Sequence, residues 1–400
     1  MPRLYGEIPA PKAKKQEPAP RASTRPILVY VHVPFCRSKC HYCAFHSQAF
    51  NQVTFAWYLK TLLAEIELWG RRLKHPRATT LYFGGGTPSL FPLSALAQVM
   101  DALRANFAFE DGLEASIEAN PDSACDVSFF RALLSFGFNR LSLGVQSFED
   151  AHLALLGRPH NARQAVETFT LARQAGFGNI SLDLMFGLPG QRTNHWLEQL
   201  KSAVRLRPEH LSCYGLTPEP DTRLTRSLEL GEFVLPEERE QSRMFVHGAE
   251  YLESEGYLHY EISNFARMGF ACRHNLGYWQ GRDYLGLGPS AVSTIGSRRF
   301  TNPRWMDAYD AAVRGNFAGL DFEELDHETR LKELVLLSLR TVEGLDLKAY
   351  RKLAGRDLLK SEPQLMQTLR QNDLIRVKKG RLSLTKTGML VSNSIISRIM

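Results

Sequence analysis

The sequence predicts an α/β fold, with a partial (β/α)6 barrel followed by a small C-terminal domain of helical, winged-helix-like character. Two observations support this prediction. Between residues 27 and 218, short apolar runs alternate with longer segments of helical periodicity, which is the pattern of βαβ units in a parallel sheet. Glycine-rich and polar motifs follow the apolar runs, and barrel enzymes place their sites at these carboxyl ends of the strands. Because crossovers are right-handed, six such units curl into most of a barrel.

The individual elements of the barrel follow from this alternation. Strands are predicted over residues 27–33, 80–83, 113–118, 140–145, 180–186 and 210–216. The helices between them are predicted over residues 53–73, 93–107, 127–136, 162–175 and 196–206. A charged helix that faces solvent is expected over residues 236–255, after the regular alternation has ended.

Composition shifts along the chain predict four segments. Residues 1–25 are rich in Pro, Ala and Lys and are expected to be a disordered tail, because they offer too little apolar surface to offset the entropy of ordering. Residues 26–218 are expected to form the barrel, and residues 219–319 an extension whose segment 257–296 consists of loops rich in aromatic residues and glycine. Residues 320–400 form the C-terminal domain. Its predicted elements are helices at 329–339 and 363–371 and short strands at 374–377 and 382–384.

The net charge of +7 does not indicate a nucleic-acid partner, although its sign is basic. Residues 1–25 carry six basic and two acidic side chains, so the remaining 375 residues have a net charge of only +3. Such a mixed surface is typical of a solvated protein and predicts no nucleic-acid binding. No run approaches the roughly 18 apolar residues of a membrane span, so only peripheral membrane contact through the tail stays open.

The six cysteines are expected to be reduced, because the sequence shows no secretion signal and is long enough to bury a core without disulfides. We therefore expect a cytoplasmic protein. Cys125 and Cys213 stand alone in the sequence and are expected to be small buried apolar side chains.

Three cysteines form a C-x3-C-x2-C motif in the loop after the first predicted strand, at Cys36, Cys40 and Cys43. Three thiolates this close in sequence can hold one face of a 4Fe-4S cube, each on a different iron, and the missing fourth thiolate leaves one iron open. The alternative is a zinc site of three cysteines and one histidine, from His41 or His46. Zinc would not account for the glycine and polar motifs that follow.

The C-x3-C-x2-C motif after the first strand of a βα barrel resembles that of the radical S-adenosylmethionine (SAM) superfamily. The resemblance implies a partial (β/α)6 radical SAM barrel and a 4Fe-4S cluster whose open iron binds SAM. The run Gly84-Gly85-Gly86-Thr87-Pro88 resembles the segment of these proteins in which backbone carbonyls approach the amino group of SAM.

The finer resemblance is to the family of oxygen-independent coproporphyrinogen III oxidase, and it runs from about residue 27 to the C-terminus. The segments that carry it are 30–36, 84–88, 118–121, 140–146, 157–158 and 183–191. By position, the resemblance implies SAM contacts at Tyr30, Tyr42, Gly85, Gly86, Thr87, Glu118, Gln146, Arg158, Asp183 and Thr217. Taken singly, Glu118 would also suit a helix cap and Arg158 a surface ion pair.

Two departures from the oxidases indicate their relatives, the radical SAM haem chaperones, which share the scaffold without the oxidase activity. The oxidases carry a further cysteine where this chain has Phe45, and their N-terminal segment is structured where residues 1–25 are of low complexity. The chain is therefore expected to bind the cluster, SAM and haem, and to pass haem to an acceptor protein. The alternative is an enzyme, either the oxidase itself or another radical SAM enzyme that acts on a tetrapyrrole.

The segments 261–265 and 272–279 resemble the chaperone branch as well. In the second segment, the prediction is that His274 is an axial ligand of haem iron and that Tyr278 and Trp279 stack on the macrocycle. The alternative interpretation is a structural histidine among aromatic residues that only pack against one another.

Overall fold

The computed structural model describes residues 26–124 and 126–400, so the predicted tail at 1–25 and Cys125 lie outside the described residues. The strands are β1 (Ile27–Val33), β2 (Phe35–Cys36), β3 (Gln48–Ala49), β4 (Arg77–Gly85), β5 (Ala108–Ala119), β6 (Arg140–Gln146), β7 (Ile180–Phe186), β8 (His210–Gly215), β9 (Leu258–Glu261), β10 (Asn264–Ala266), β11 (Tyr284–Leu287), β12 (Val292–Ile295), β13 (Arg298–Thr301), β14 (Glu323–Glu324), β15 (Leu345–Asp346), β16 (Ile375–Lys378) and β17 (Arg381–Leu384). The helices are α1 (Gln52–Arg72), α2 (Leu93–Asn106), α3 (Val127–Phe136), α4 (Asp150–Leu155), α5 (Ala162–Ala175), α6 (Thr193–Arg205), α7 (Arg223–Glu229), α8 (Glu238–Ser254), α9 (Arg273–Trp279), α10 (Met306–Arg314), α11 (His327–Ser338), α12 (Leu347–Ala354), α13 (Leu358–Ser361), α14 (Pro363–Gln371), α15 (Lys386–Leu390) and α16 (Ser392–Ile399).

The predicted barrel strands are neighbours in one sheet, in the order β1, β4, β5, β6, β7 and β8, and each neighbouring pair is parallel. This arrangement confirms the α/β class and the partial barrel. Spatial order follows chain order, as successive right-handed βαβ crossovers require. β1, β6 and β7 are buried along almost their whole length. β1 is accordingly a near-continuous apolar run, whereas β6 and β7 also bury polar side chains such as Arg140, Ser142 and Ser181.

The residues after 218 extend this sheet at both ends, where the sequence predicted loops. β11 pairs in parallel with β1, and β12, β13 and β14 follow in antiparallel pairs. At the other end, β10 pairs antiparallel with β8, and β9 lies beyond it. These added strands have only two to four residues each, which is too short for a period to show in the sequence.

A buried carboxyl group joins helix α1 to this extension. The side chain of Glu65 accepts hydrogen bonds from Gly288 N (2.7 Å), Asn302 Nδ2 (2.7 Å) and Tyr309 Oη (2.6 Å). Burial raises the pKa of Glu65 to about 7, because the charged form loses its hydration there, and the hydrogen bonds oppose this effect only in part. Glu65 therefore fixes residues 288–309 against the outer helix of the barrel.

The charged helix predicted over residues 236–255 is present as α8, but only one of its faces is exposed to solvent. It buries Met244, Ala249 and Leu252, and it contacts α6. Gly248 lies so close to Trp196 that a Cβ atom there would stand 2.5 Å from the indole Nε1. The many charged residues of α8 occupy only its outer face.

The C-terminal residues have an apolar core of their own, formed by α11, α12, α14 and α16 with a small sheet in the order β15, β17, β16. The predicted helices correspond to α11 and α14, and the predicted strands correspond to β16 and β17. Helix α12 and strand β15 were not expected from the sequence. In the part of the chain that the structure describes, no helix has the length and apolar character needed to cross a membrane.

Candidate functional site

A cavity of about 470 Å³ opens where the barrel strands end, between the loop after β1 and the carboxyl ends of β4 to β8. Its size falls in the range of roughly 300–1,000 Å³ that is usual for small-molecule sites. The three cysteines of the motif line this cavity: Cys36, Cys40 and Cys43. Nine of the ten predicted SAM contacts line it too: Tyr42, Gly85, Gly86, Thr87, Glu118, Gln146, Arg158, Asp183 and Thr217. The structure therefore brings together residues that are up to 181 positions apart in sequence (Cys36 to Thr217).

Tyr30 is the one predicted SAM contact that does not line the cavity. Its hydroxyl group is hydrogen-bonded to His32 Nδ1 at 3.1 Å, and its ring stacks on Tyr82 with centroids 6.2 Å apart. The ring belongs to the layer of inward side chains beneath the cavity.

The cysteine loop is closed at its base by a two-stranded sheet. β2 and β3 pair in parallel, which sets Phe35 opposite Gln48 and Cys36 opposite Ala49. At the tip, the backbone of His41 is held from two sides, because its N–H donates to Leu156 O and its carbonyl accepts from Leu224 N. The loop is therefore anchored at both ends, while the three thiol groups stay partly exposed to the cavity.

Polar groups contact two of the three sulfur atoms. Arg158 Nη1 lies 3.4 Å from Cys40 Sγ, and Thr87 Oγ1 lies 3.6 Å from Cys36 Sγ. The guanidinium group also donates to Asn120 Oδ1 and to Gly144 O, both at 2.7 Å, which holds it in place. Hydrogen-bond donors and a cation beside the sulfur atoms are the outer contacts that would orient these side chains around a bound metal group.

The alternative zinc site is not supported by the described residues. The Nε2 edge of His41 packs so closely on Gly157 that a Cβ atom there would stand 2.7 Å from Nε2, and His46 Nδ1 accepts a hydrogen bond from Arg304 Nε at 3.0 Å. Within residues 26–124 and 126–400, no group of three or more His, Cys, Asp or Glu side chains is arranged to hold a single metal ion. A 4Fe-4S cluster requires a wider arrangement, because each thiolate binds a different iron.

The glycine run after β4 leaves the backbone bare at the cavity. Gly85 has a φ of +109°, and a Cβ atom there would stand 2.5 Å from the His32 ring. A Cβ atom on Gly86 would stand 2.4 Å from Phe35 O. Neither position accepts a side chain, so the backbone itself faces any bound molecule. This fits the predicted contact between this segment and SAM.

Two carboxyl groups stand inside the cavity, on strands β5 and β7, with β6 between them. Glu118 accepts hydrogen bonds from Tyr82 Oη (2.9 Å) and Gly85 N (3.1 Å), and Asp183 accepts one from Ser142 Oγ (3.1 Å). Burial raises the pKa of both groups, and for Glu118 the charge of Asp183 adds to the effect and brings the pKa to about 7. The pair therefore favours a ligand that brings positive charge or hydroxyl donors.

The predicted haem residues lie elsewhere, on helix α9 beneath the barrel. His274 is 1% exposed, with Nδ1 2.7 Å from Thr80 Oγ1 and Nε2 3.2 Å from Tyr278 Oη. Tyr278 packs edge-on against Tyr284, and Trp279 is half-buried at the end of the helix. The role of these residues in haem binding stays a prediction, and in the described conformation neither ring nitrogen of His274 is open to an iron atom.

Several residues that line the cavity were not singled out from the sequence: Asn120, Ser142, Gly144, Met185, Tyr214 and Glu219. Most of them stand inside the motifs quoted above or next to them, so their position after a strand was the available signal. Tyr82, which supports Glu118 from below, gave no such signal because it lies in the middle of an apolar strand.

Known proteins resemble the chain over most of its length. A family model described as the radical SAM superfamily matches residues 30–203, and one described as the HemN C-terminal domain matches residues 325–391. The heme chaperone HemW of Bacillus subtilis is 35% identical over 368 residues, which cover 92% of this chain and 97% of that protein. The chain belongs to the HemW family of radical SAM proteins. This confirms the resemblance drawn from the motifs.

Further members and a solved structure agree with this assignment. The heme chaperone HemW of Mycobacterium tuberculosis is 34% identical and covers 94% of this chain and 95% of its own length. The solved coproporphyrinogen III oxidase HemN of Escherichia coli superposes with a TM-score of 0.80 at 25% identity, covering 94% of this chain and 90% of that one. The chain therefore shares the fold of the oxidase over most of its length, in agreement with the resemblance drawn from the sequence.

Proposed function

We propose that this chain is a haem chaperone that holds a 4Fe-4S cluster and SAM in the barrel cavity and passes bound haem to an acceptor protein. The observation that carries the cofactor part is the arrival of three cysteines and nine predicted SAM contacts in one cavity. The name of the relatives, heme chaperone, at 30–37% identity supports the haem part. A cytoplasmic location belongs to the same proposal.

The chain's own groups suit these cofactors. Cys36, Cys40 and Cys43 would hold the cluster, and when bound it supplies one iron without a protein ligand and a source of electrons. Arg158, whose Nη1 lies 3.4 Å from Cys40 Sγ, would offset part of the negative charge that the thiolates bring. Asp183 would accept hydrogen bonds from ribose hydroxyls of SAM.

Phe45 supports the chaperone over the oxidase. This side chain stands at the rim of the cavity and is 69% exposed, at the position where the oxidases carry a further cysteine. A phenyl ring can neither bind a metal nor transfer a proton. The cavity therefore lacks, at this place, a thiol that the oxidase family has.

The competing function is decarboxylation of coproporphyrinogen III, which the shared architecture with the solved oxidase keeps in contention. One preparation tests both. Anaerobically reconstituted protein is titrated with haem while the Soret band is followed, and the same protein is assayed with SAM, reductant and coproporphyrinogen III. We expect saturation near one haem per chain and no decarboxylation. Turnover of coproporphyrinogen III without stoichiometric haem uptake would overturn the proposal.

A further inference from the structure

Below the cavity, the inward side chains of neighbouring strands lie in successive layers. Strand register sets Tyr82 level with Ser116, and it sets Thr80 level with Glu114, closer to the amino ends of the strands. Glu118 follows Ser116 by two residues on β5, so it stands one layer nearer the cavity that it lines. The layer that contains Tyr82 is therefore the floor beneath Glu118.

Helix α9 closes the barrel under this floor, in contact with β4. The backbone N–H of His274 donates to Glu114 Oε1 at 3.0 Å, and Nδ1 of the ring lies 2.7 Å from Thr80 Oγ1. Nε2 lies 3.2 Å from the hydroxyl oxygen of Tyr278 on the next turn. The backbone N–H and both ring nitrogens of His274 therefore have hydrogen-bond partners, which hold the ring in one orientation.

The ring of His274 packs against the underside of the layer that contains Tyr82. It stacks on Tyr82 with ring centroids 5.0 Å apart and ring planes 28° apart. The ring of Tyr30 also lies beside it, with its centroid 6.4 Å from that of His274. On the other side, the Tyr82 hydroxyl donates to Glu118 Oε1 at 2.9 Å. A continuous path of contacts therefore runs from α9 through one tyrosine to a carboxyl group in the cavity.

The chemistry of His274 suits a support. Burial lowers its pKa to about 3, so the ring is neutral at physiological pH and adds no charge beneath the carboxyl groups. A flat neutral ring that forms two hydrogen bonds at its edge stabilises the ring above it without competing for the Tyr82 hydroxyl.

We propose that His274 is a positioning residue of the SAM site, which acts through Tyr82 to fix the Glu118 carboxyl group, and that it is not the iron ligand of haem. The inference rests on the proposed binding of SAM in the cavity. It replaces the haem role predicted for His274 from the sequence.

The first test compares SAM affinity in His274→Ala and in a matched control. His259→Ala is the control, because His259 is also buried and stacks on an aromatic ring, Phe265, at 4.3 Å, but forms no contact with Tyr82. In protein of equal iron content, we expect His274→Ala to raise the Kd for SAM about tenfold or more, and His259→Ala to leave it within about twofold. Equal Kd values for His274→Ala and the native protein would overturn the inference.

A pH profile separates positioning from general loss of structure. The ionisable groups that face Glu118 are Asp183 on β7, Tyr82 on β4, Tyr30 on β1 and Tyr214 on β8. Tyr82→Phe removes the hydrogen bond that favours the ionised Glu118, so the midpoint of SAM binding should move to higher pH. His274→Ala should move it in the same direction, and the double variant should move it no further. Additive shifts, or no shift with His274→Ala, would contradict the path.

A ring-preserving variant keeps the test valid if His274→Ala does not fold. His274→Phe retains the flat ring under Tyr82 and should recover most of the SAM affinity.

Haem titration of the same variants tests whether His274 is an iron ligand: we expect the Soret band of the haem complex to be unchanged in His274→Phe. A changed band with native SAM affinity would instead restore the iron-ligand role. If native protein binds no SAM, the proposed function fails and the inference fails with it, whereas native binding that His274 does not influence refutes the inference alone.

Discussion

Replacing Asp183 by Asn isolates the charge of one carboxyl group in the barrel cavity, where we propose that SAM binds, at nearly constant shape. Asp183 is held by the hydroxyl groups of Ser142 and Ser181, at 3.1 and 3.4 Å, which can rotate to suit an amide. Loss of a hydrogen bond to a charged acceptor costs about 1.5–3 kcal/mol. We therefore expect Asp183→Asn to raise the Kd for SAM by roughly 10- to 150-fold.

The same variant has two further effects whose directions follow from the pKa values. The folded pKa of Asp183 is raised by burial, so the fold disfavours the ionised form and Asp183→Asn should be at least as stable as the native protein at pH 7. The charge of Asp183 contributes to the raised pKa of Glu118, about 7. Removing that charge should lower the pKa of Glu118. The midpoint of SAM binding, which weakens as Glu118 is protonated, should then move below pH 7.

The assay is anaerobic calorimetry or equilibrium dialysis with SAM between pH 5.5 and 8.5, on protein of measured iron content. Asp310→Asn is the matched control, because Asp310 lies on α10 and pairs with Thr61 and Arg314 outside the cavity. It should leave both the Kd and its pH profile unchanged. A native Kd in Asp183→Asn, or a midpoint that moves upward, would refute the reasoning.

Three further predictions concern the cluster, the fold and the tail. Cys36→Ala should abolish the content of about four irons per chain, while Cys213→Ala should retain it; stoichiometric zinc without labile sulfide in the native protein would contradict this. Glu65→Leu leaves three buried donors without an acceptor and should lower the free energy of unfolding in urea by about 3 kcal/mol or more. A loss below about 1 kcal/mol would contradict the role of Glu65 in fixing residues 288–309 against α1. Because the folded pKa of Glu65, about 7, exceeds its ordinary value of 4.5, its contribution to stability is full below pH 4.5 and is lost as the pH rises through 7, a slope that Glu65→Gln should remove. Deleting residues 1–25 should leave melting temperature and iron content nearly unchanged, and loss of soluble protein would show that the tail is structured.

The barrel could be predicted from the sequence to the residue at several elements, because local signals mark their ends. The predicted bounds of β1, β7, α3 and α5 are the observed ones. α5 begins with a capping box in which Asn161 and Gln164 bond reciprocally, and it ends at Gly176 in the left-handed conformation. The strands of the extension could not be predicted, because their pairing with β1 and β8 is decided by residues far away in sequence.

The cavity was largely predictable for a related reason: motifs that follow parallel strands converge at one edge of the sheet. Tyr30 deviates because its side chain belongs to the layer below that edge. His274 could not be placed from the sequence, since its partners Thr80 and Glu114 are 194 and 160 residues away, and nothing local distinguishes a haem ligand from a buried support.

Transfer of haem is the measurement that tests the central claim most directly. The chain is loaded anaerobically with its cluster, SAM and haem, separated from free haem, and mixed with an apoprotein that has a vacant haem site and a distinct Soret band. The account predicts that close to one haem per chain appears in the acceptor while the cluster stays intact. Haem that stays on the chain, or a preparation that binds no haem but decarboxylates coproporphyrinogen III, would contradict it.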